Sequence, residues 1–204
     1  MAISNAEMVQ LYQALGVGKL PMTGGPAGSL KSAIAMTMPL EVPTSSLGPS
    51  TGIMYLSAVY ITQGQTISNI NFITTGAANT PTHTWFALYD DGRGSSSANQ
   101  LALLGQTADQ GSGAVAANTN LGLALNTPWV AQYTGIYYLA FMQAATGTSG
   151  LMGLSGGGTA GLQVSGTTTS ATFSMTAGSG LTGLASNPSG TLSSTPFNLF
   201  AYAS

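Results

Sequence analysis

The stretch GIYYLAFMQ, residues 135–143, decides the fold class. It opens on a glycine and then crowds Tyr137, Tyr138, Leu139, Phe141 and Met142 into a short run. Bulky aromatic and aliphatic side chains of this kind suit a pleated, buried surface. It is the strongest strand signal in the chain, and weaker strand signals lie on both sides of it.

Upstream, Ile53, Tyr55, Ser57, Val59 and Ile61 recur with a period of two. That is the side-chain period of a strand, so these residues share one face. Gly64-Gln65 turns the chain, and Ile67, Ile70 and Phe72 mark the next strand. HTWFALYD, residues 83–90, is a third, closed by the turn signal Asp91-Gly92-Arg93-Gly94. Leu101–Gln106 follows, then a loop and edge at Gly111–Ala117, then Leu121–Leu125, with Pro128 expected to break that strand. Downstream, residues 151–154, 162–164, 171–175 and 196–202 are further strand candidates. Residues 144–195 are rich in Gly, Ser and Thr, but their apolar residues recur too regularly for a free linker. Many short strands separated by turn residues predict a mainly β protein. The expected architecture is an antiparallel β-sandwich, jelly-roll-like, over residues 51–204.

The first twenty residues read differently. Ser4 and Glu7 form a capping box, and Ile3 and Met8 a hydrophobic staple. Met8, Leu11, Tyr12 and Leu15 then share one face of a helix that Gly16 and Gly18 end. So short a helix is marginal alone. These four side chains are therefore expected to dock, on their own domain or on a partner as an attachment point. Residues 21–50 carry Pro21, Pro26, Pro39, Pro43 and Pro49 among glycines and read as an extended arm. Within it Ala33–Met38 alternates weakly and is a candidate edge strand.

Composition narrows the function. Only 4% of the 204 residues are charged, against about 25% in an ordinary domain. The acids are Glu7, Glu41, Asp90, Asp91 and Asp109, and the bases are Lys19, Lys31 and Arg93. Three bases cannot track a phosphate backbone, so nucleic acid is not an expected partner. No stretch is apolar enough for a membrane span, and the first twenty residues lack the pattern of a secretory signal. Cysteine is absent. Weak mutual repulsion of nearly neutral surfaces favours self-association, so a homo-oligomer is expected.

Chemistry has little to work with. Paired carboxylates for glycoside hydrolysis would have to come from Asp90, Asp91 and Asp109, and the first two are adjacent in a turn. A nucleophilic triad would need the single histidine, His83, yet no nucleophile elbow is present. His83 is expected to be an outward polar or hydrogen-bonding residue. The Asp90-Asp91-Gly92 turn is a weak calcium candidate. No enzyme activity, metal or cofactor is expected. Sugar binding needs little charge, since aromatic rings stack on sugar faces. Trp129, which follows Pro128 at a strand entry, and Tyr133 are the candidate glycan contacts, with Tyr89 a further aromatic candidate, whereas Trp85 is expected in the core.

Four segments together carry a resemblance: GIMYLSAVYITQGQTISNINFIT (52–74), HTWFALYDD (83–91), LALLGQTAD (101–109) and TPWVAQYTGIYYLAFM (127–142). Roughly residues 33–142 resemble the structural proteins of tailed actinobacterial phages, the head-decoration, fibre and minor tail proteins. The resemblance implies a β-sandwich displayed on a virion surface, often multimeric, made in the host cytoplasm. The expectation is therefore a capsid decoration or head-fibre protein, guessed to be a trimer, held to a major capsid or other virion protein by its N-terminal segment. The alternative is a tail-tip module that binds a receptor or a host-surface glycan.

Overall fold

The computed structural model describes residues 33–38, 45–90, 101–155, 174–184, 188, 192–195 and 197–204. The N-terminal helix with Met8, Leu11, Tyr12 and Leu15, the turn at Asp91–Gly94 and the strand candidate at 162–164 lie outside these residues. The described residues are mainly β, form antiparallel sheets and contain no helix.

The strands are β1 (Ala35–Met36), β2 (Ser45–Leu47), β3 (Met54–Ile61), β4 (Thr66–Ile73), β5 (Asn79–Asp90), β6 (Leu103–Gln106) and β7 (Asn120–Val130). They continue as β8 (Gly135–Gly147), β9 (Leu151–Ser155), β10 (Ser174–Ala177), β11 (Ser193–Ser194), β12 (Phe197–Leu199) and β13 (Ala201–Ala203). Three sheets result: a six-stranded one in the order β11-β10-β3-β8-β5-β6, a four-stranded one in the order β1-β13-β4-β7, and a three-stranded one in the order β12-β9-β2.

β8, grown from the 135–143 run, is the centre of the six-stranded sheet. Tyr55, Val59, Ile61, Phe86, Leu88, Tyr137, Leu139 and Phe141 on one face share an apolar cluster with Ile67, Ile70, Phe72, Leu125, Ala201 and Ala203 of the four-stranded sheet. Phe72 joins the two sheets, its ring 4.8 Å from that of Phe86 and 5.5 Å from that of Phe141. The period-two reading of β3 holds, and Ser57, buried among these residues, accepts a hydrogen bond from the Leu199 amide at 3.1 Å.

The opposite face of the same sheet is also buried. Met54, Leu56, Trp85, Ala87, Tyr89, Tyr138, Ala140, Met142 and Met175 form a second cluster. Register explains how it packs: Leu56 and Ala87 both lie beside Ala140, so a large side chain fills the space left by small ones. A sheet covered on both faces shows no polar alternation. That is why β3, β5 and β8 read as near-continuous apolar runs.

The four-stranded sheet owes its geometry to one irregularity. Ile67 faces Trp129 and Asn69 faces Ala124, so residues 125–128 oppose Ser68 alone. The bulge changes the parity of β4, and Ile67, Ile70 and Phe72 all reach the core. It also accommodates Pro128. The break expected at Pro128 does not occur: the strand continues to Val130, because a proline at a bulge gives up no ladder bond. At the same place Leu125 bridges Thr107 beyond β6, linking the four- and six-stranded sheets along one side.

The arm assigned to residues 21–50 contributes to the fold. β1 is an edge strand on β13, as the 33–38 pattern suggested, and β2 pairs with β9. Thr37 fastens β1: its hydroxyl donates to the Leu199 carbonyl at 2.8 Å and accepts from the Ala201 amide at 3.0 Å.

Candidate functional site

Two turns meet at one end of the six- and four-stranded sheets. Residues 62–65 join β3 to β4, and residues 131–134 join β7 to β8. The Gly64 amide donates to the Ala131 carbonyl at 2.9 Å, and the Ala131 amide donates to the Gln65 carbonyl at 2.9 Å. The Gln63 amide donates to Oγ1 of Thr134 at 2.9 Å. Within the first turn Oε1 of Gln65 accepts from the Thr62 amide at 2.7 Å. Gly64 sits at φ +83°, a conformation that favours glycine. In the second turn Nε2 of Gln132 donates to the Val130 carbonyl at 2.7 Å. The two turns are thus tied into one unit.

The rings beside them form a cluster. Tyr133 stacks on Tyr137 with centroids 4.9 Å apart, and Trp129 meets Tyr137 edge-on at 5.2 Å. The Tyr137 hydroxyl donates to the Tyr133 carbonyl at 2.8 Å, which fixes the turn to the buried ring. Trp129 lies on the side of β7 that faces the core, opposite Ile67, whereas Val130 faces out opposite Thr66. Trp129 and Tyr133 are both half-buried, and Val130, at 43% exposure, is the exposed large hydrophobic among the described residues. Thr62, Gln63, Gln132 and Thr134 around them are exposed.

The structure therefore brings the two candidate glycan residues, Trp129 and Tyr133, onto one buried ring. Sequence reading missed Tyr137 as that ring and missed the glutamines and threonines around it. The available signal was the pair of Gln/Thr turns, TQGQT at 62–66 and AQYT at 131–134, each ending an apolar strand.

The ionisable groups lie elsewhere. Asp109 accepts from Nδ1 of His83 at 2.6 Å, from the Thr84 amide at 3.0 Å and from the Gly111 amide at 2.8 Å. The His83 ring stacks on Trp85 at 4.8 Å, with the planes 8° apart. Partial burial pushes the Asp109 carboxyl up, but the hydrogen bonds from His83, Gly111 and Thr84 and the His83 charge outweigh it and hold the group below its ordinary value. Asp90, buried at the far end of β5, accepts from the Ala102 amide at 3.2 Å. Asp90 lies six positions beyond Thr84 along β5, about 20 Å of extended strand, so Asp90 and Asp109 do not share a cleft. Asp91 lies outside the described residues. Trp85 is buried as expected. Tyr89 is fully buried as well, which rules it out as a sugar contact, and burial pushes its phenol far above the usual range.

Among the described residues no three His, Cys, Asp or Glu side chains come together as metal ligands, and no helix is long and apolar enough to cross a membrane. No protein-family model matches the chain, and no curated protein matches it.

Proposed function

We propose that this chain is a non-enzymatic structural protein of a tailed-phage virion, a capsid decoration or head-fibre protein attached through its N-terminal segment. On this reading residues 51–204 are the displayed body, a jelly-roll-like β-sandwich, and the protein works as a homotrimer bound to a major capsid or other virion protein. The apolar cluster shared by the six- and four-stranded sheets supports the sandwich.

The observation that carries the functional reading is the use made of the few carboxylates. Asp90 and Asp109 each hold backbone amides, about 20 Å apart along β5. Carboxylates engaged in this way support a scaffold role. The body otherwise rests on neutral side chains and a doubly covered sheet, which suits a part whose task is to persist and be displayed.

The test is co-sedimentation of purified protein with capsids, alongside sedimentation analysis of the protein alone. The reading expects a trimer that pellets with capsids. A monomer that stays in the supernatant would remove it.

A second reading, a tail-tip receptor- or carbohydrate-binding module, is favoured by the Trp129–Tyr133–Tyr137 cluster beside exposed amide side chains. A glycan array separates it from the first.

A further inference from the structure

We infer that the end of the molecule built by turns 62–65 and 131–134 is a site for an uncharged saccharide. The half-buried Tyr133 ring, backed by Tyr137 and with Trp129 on the core side of the same ring, offers the stacking surface, and Gln63, Gln65, Gln132 and Thr134 meet the sugar hydroxyls. This inference rests on the carbohydrate-binding reading and adds the chemistry of the ligand.

A pyranose presents an apolar face of C–H groups and a rim of hydroxyls that both donate and accept. A fitting site needs an amphipathic ring for the face and neutral groups of both kinds for the rim. The Tyr133 ring has one face stacked on Tyr137, and the residue remains half-exposed. Trp129 stands on the same buried ring, so the two are held as a pair. The rim is mixed in the required way. Gln65 commits its carbonyl oxygen to the Thr62 amide, and its NH2 group is a donor. Gln132 commits its NH2 group to the Val130 carbonyl, and its own oxygen is an acceptor. Thr134 accepts from the Gln63 amide and has a hydroxyl proton to give.

Charge decides the class of sugar. No Asp, Glu, Lys, Arg or His occurs between residues 42 and 82 or between residues 110 and 204. Both turns therefore lie in charge-free sequence, with no cation supplied locally for a sialate, uronate or phosphate. The site is also pre-organised. Backbone bonds between the turns fix the ring pair and the amides before any ligand arrives, which lowers the ordering cost of binding.

The experiment follows Trp129, since the other tryptophan, Trp85, is buried. Intact protein is titrated with neutral oligosaccharides of glucose, galactose and N-acetylglucosamine, and in parallel with sialyllactose and alginate fragments. Fluorescence and calorimetry are read together. The inference expects saturable binding of at least one neutral probe, with a shift in tryptophan emission and protection from acrylamide quenching. The double variant Gln63→Ala/Gln132→Ala alters exposed side chains, and it should weaken that binding about 10-fold or more with the near-ultraviolet dichroism unchanged. Trp129→Ala should abolish it. Preference for the acidic probes, or neutral binding that both variants leave intact, overturns this inference while the carbohydrate reading survives. Absence of binding to any saccharide overturns both.

Discussion

Asp109 shows what one carboxylate does in a chain with so few. It takes hydrogen bonds from the His83 ring and from the Thr84 and Gly111 amides, and so pins the loop after β6 to β5. Its folded-state value lies below the ordinary one. As pH falls, the unfolded chain therefore binds this proton first, and the folded state loses an advantage. The contribution is complete above about pH 4 and disappears as pH drops through the folded value. Urea unfolding of wild type and Asp109→Asn from pH 7 down to pH 2 should show a shallower acid decline in the variant. Equal declines would assign the acid sensitivity elsewhere. Ser149 makes a contrasting case. It is fully buried, its amide donates to Oε1 of Gln143 at 2.6 Å, and its hydroxyl meets no partner among the described residues. Removing an unsatisfied hydroxyl is neutral or favourable, whereas removing a satisfied one is not. Ser149→Ala should leave the unfolding midpoint unchanged or raise it. Gln143→Ala, which strips partners from Ser149 and Thr84, should cost about 1–3 kcal/mol.

At the scale of elements, the glycines in strands divide into those a methyl group would disrupt and those it would not. Gly153 lies in β9 between β12 and β2, and a Cβ there would come 2.5 Å from the Asn198 carbonyl and 2.6 Å from Leu47. Backbone on one side and a buried leucine on the other leave no room. Gly153→Ala should destabilise by about 1–3 kcal/mol. Gly105 in β6 would place its Cβ 3.4 Å from Leu125, an ordinary contact. Gly105→Ala should be neutral or stabilising by up to about 1 kcal/mol. Thermal unfolding of the pair checks both, and equal effects would contradict the packing described. Elements were also where the sequence spoke most clearly. Runs such as 53–61 and 135–143 are long, apolar and bounded by turns, and they became β3 and β8. The bulge of β4 against β7 was not legible, because the irregularity depends on which residue of β7 faces Ser68. β2 and β11 went unseen for a related reason: Ser45–Leu47 and Ser193–Ser194 are short and polar, and only their partners make them strands.

Across the whole molecule, the doubly covered central sheet was visible in the sequence only as an excess of apolar residues. Period-two analysis assigns one face to the core and treats the other as free. Met54, Leu56 and Met142 belong to the second cluster because other segments cover that face, which local pattern cannot show. The candidate site was half legible for the same reason. Trp129 and Tyr133 stood out as rings, but Tyr137 and the amide rim join them only when two turns far apart in sequence meet. His83 and Asp109, likewise distant, gave no spacing signal. Phe72 joins both main sheets, so Phe72→Ala should cost about 3–5 kcal/mol and weaken both together in a single transition. Separate transitions for the sheets would show that they do not share a core.

The proposed attachment to a virion through the N-terminal segment can be tested in the particle itself. Lys19 and Lys31 are the only lysines of the chain, and both precede the described residues. Amine-reactive cross-linking of intact particles therefore reports on this segment. The measurement is the identity of the proteins joined to Lys19 and Lys31 by mass spectrometry. Cross-links to the major capsid protein are expected. Cross-links confined to tail proteins, or none to any other virion protein, would contradict the proposal.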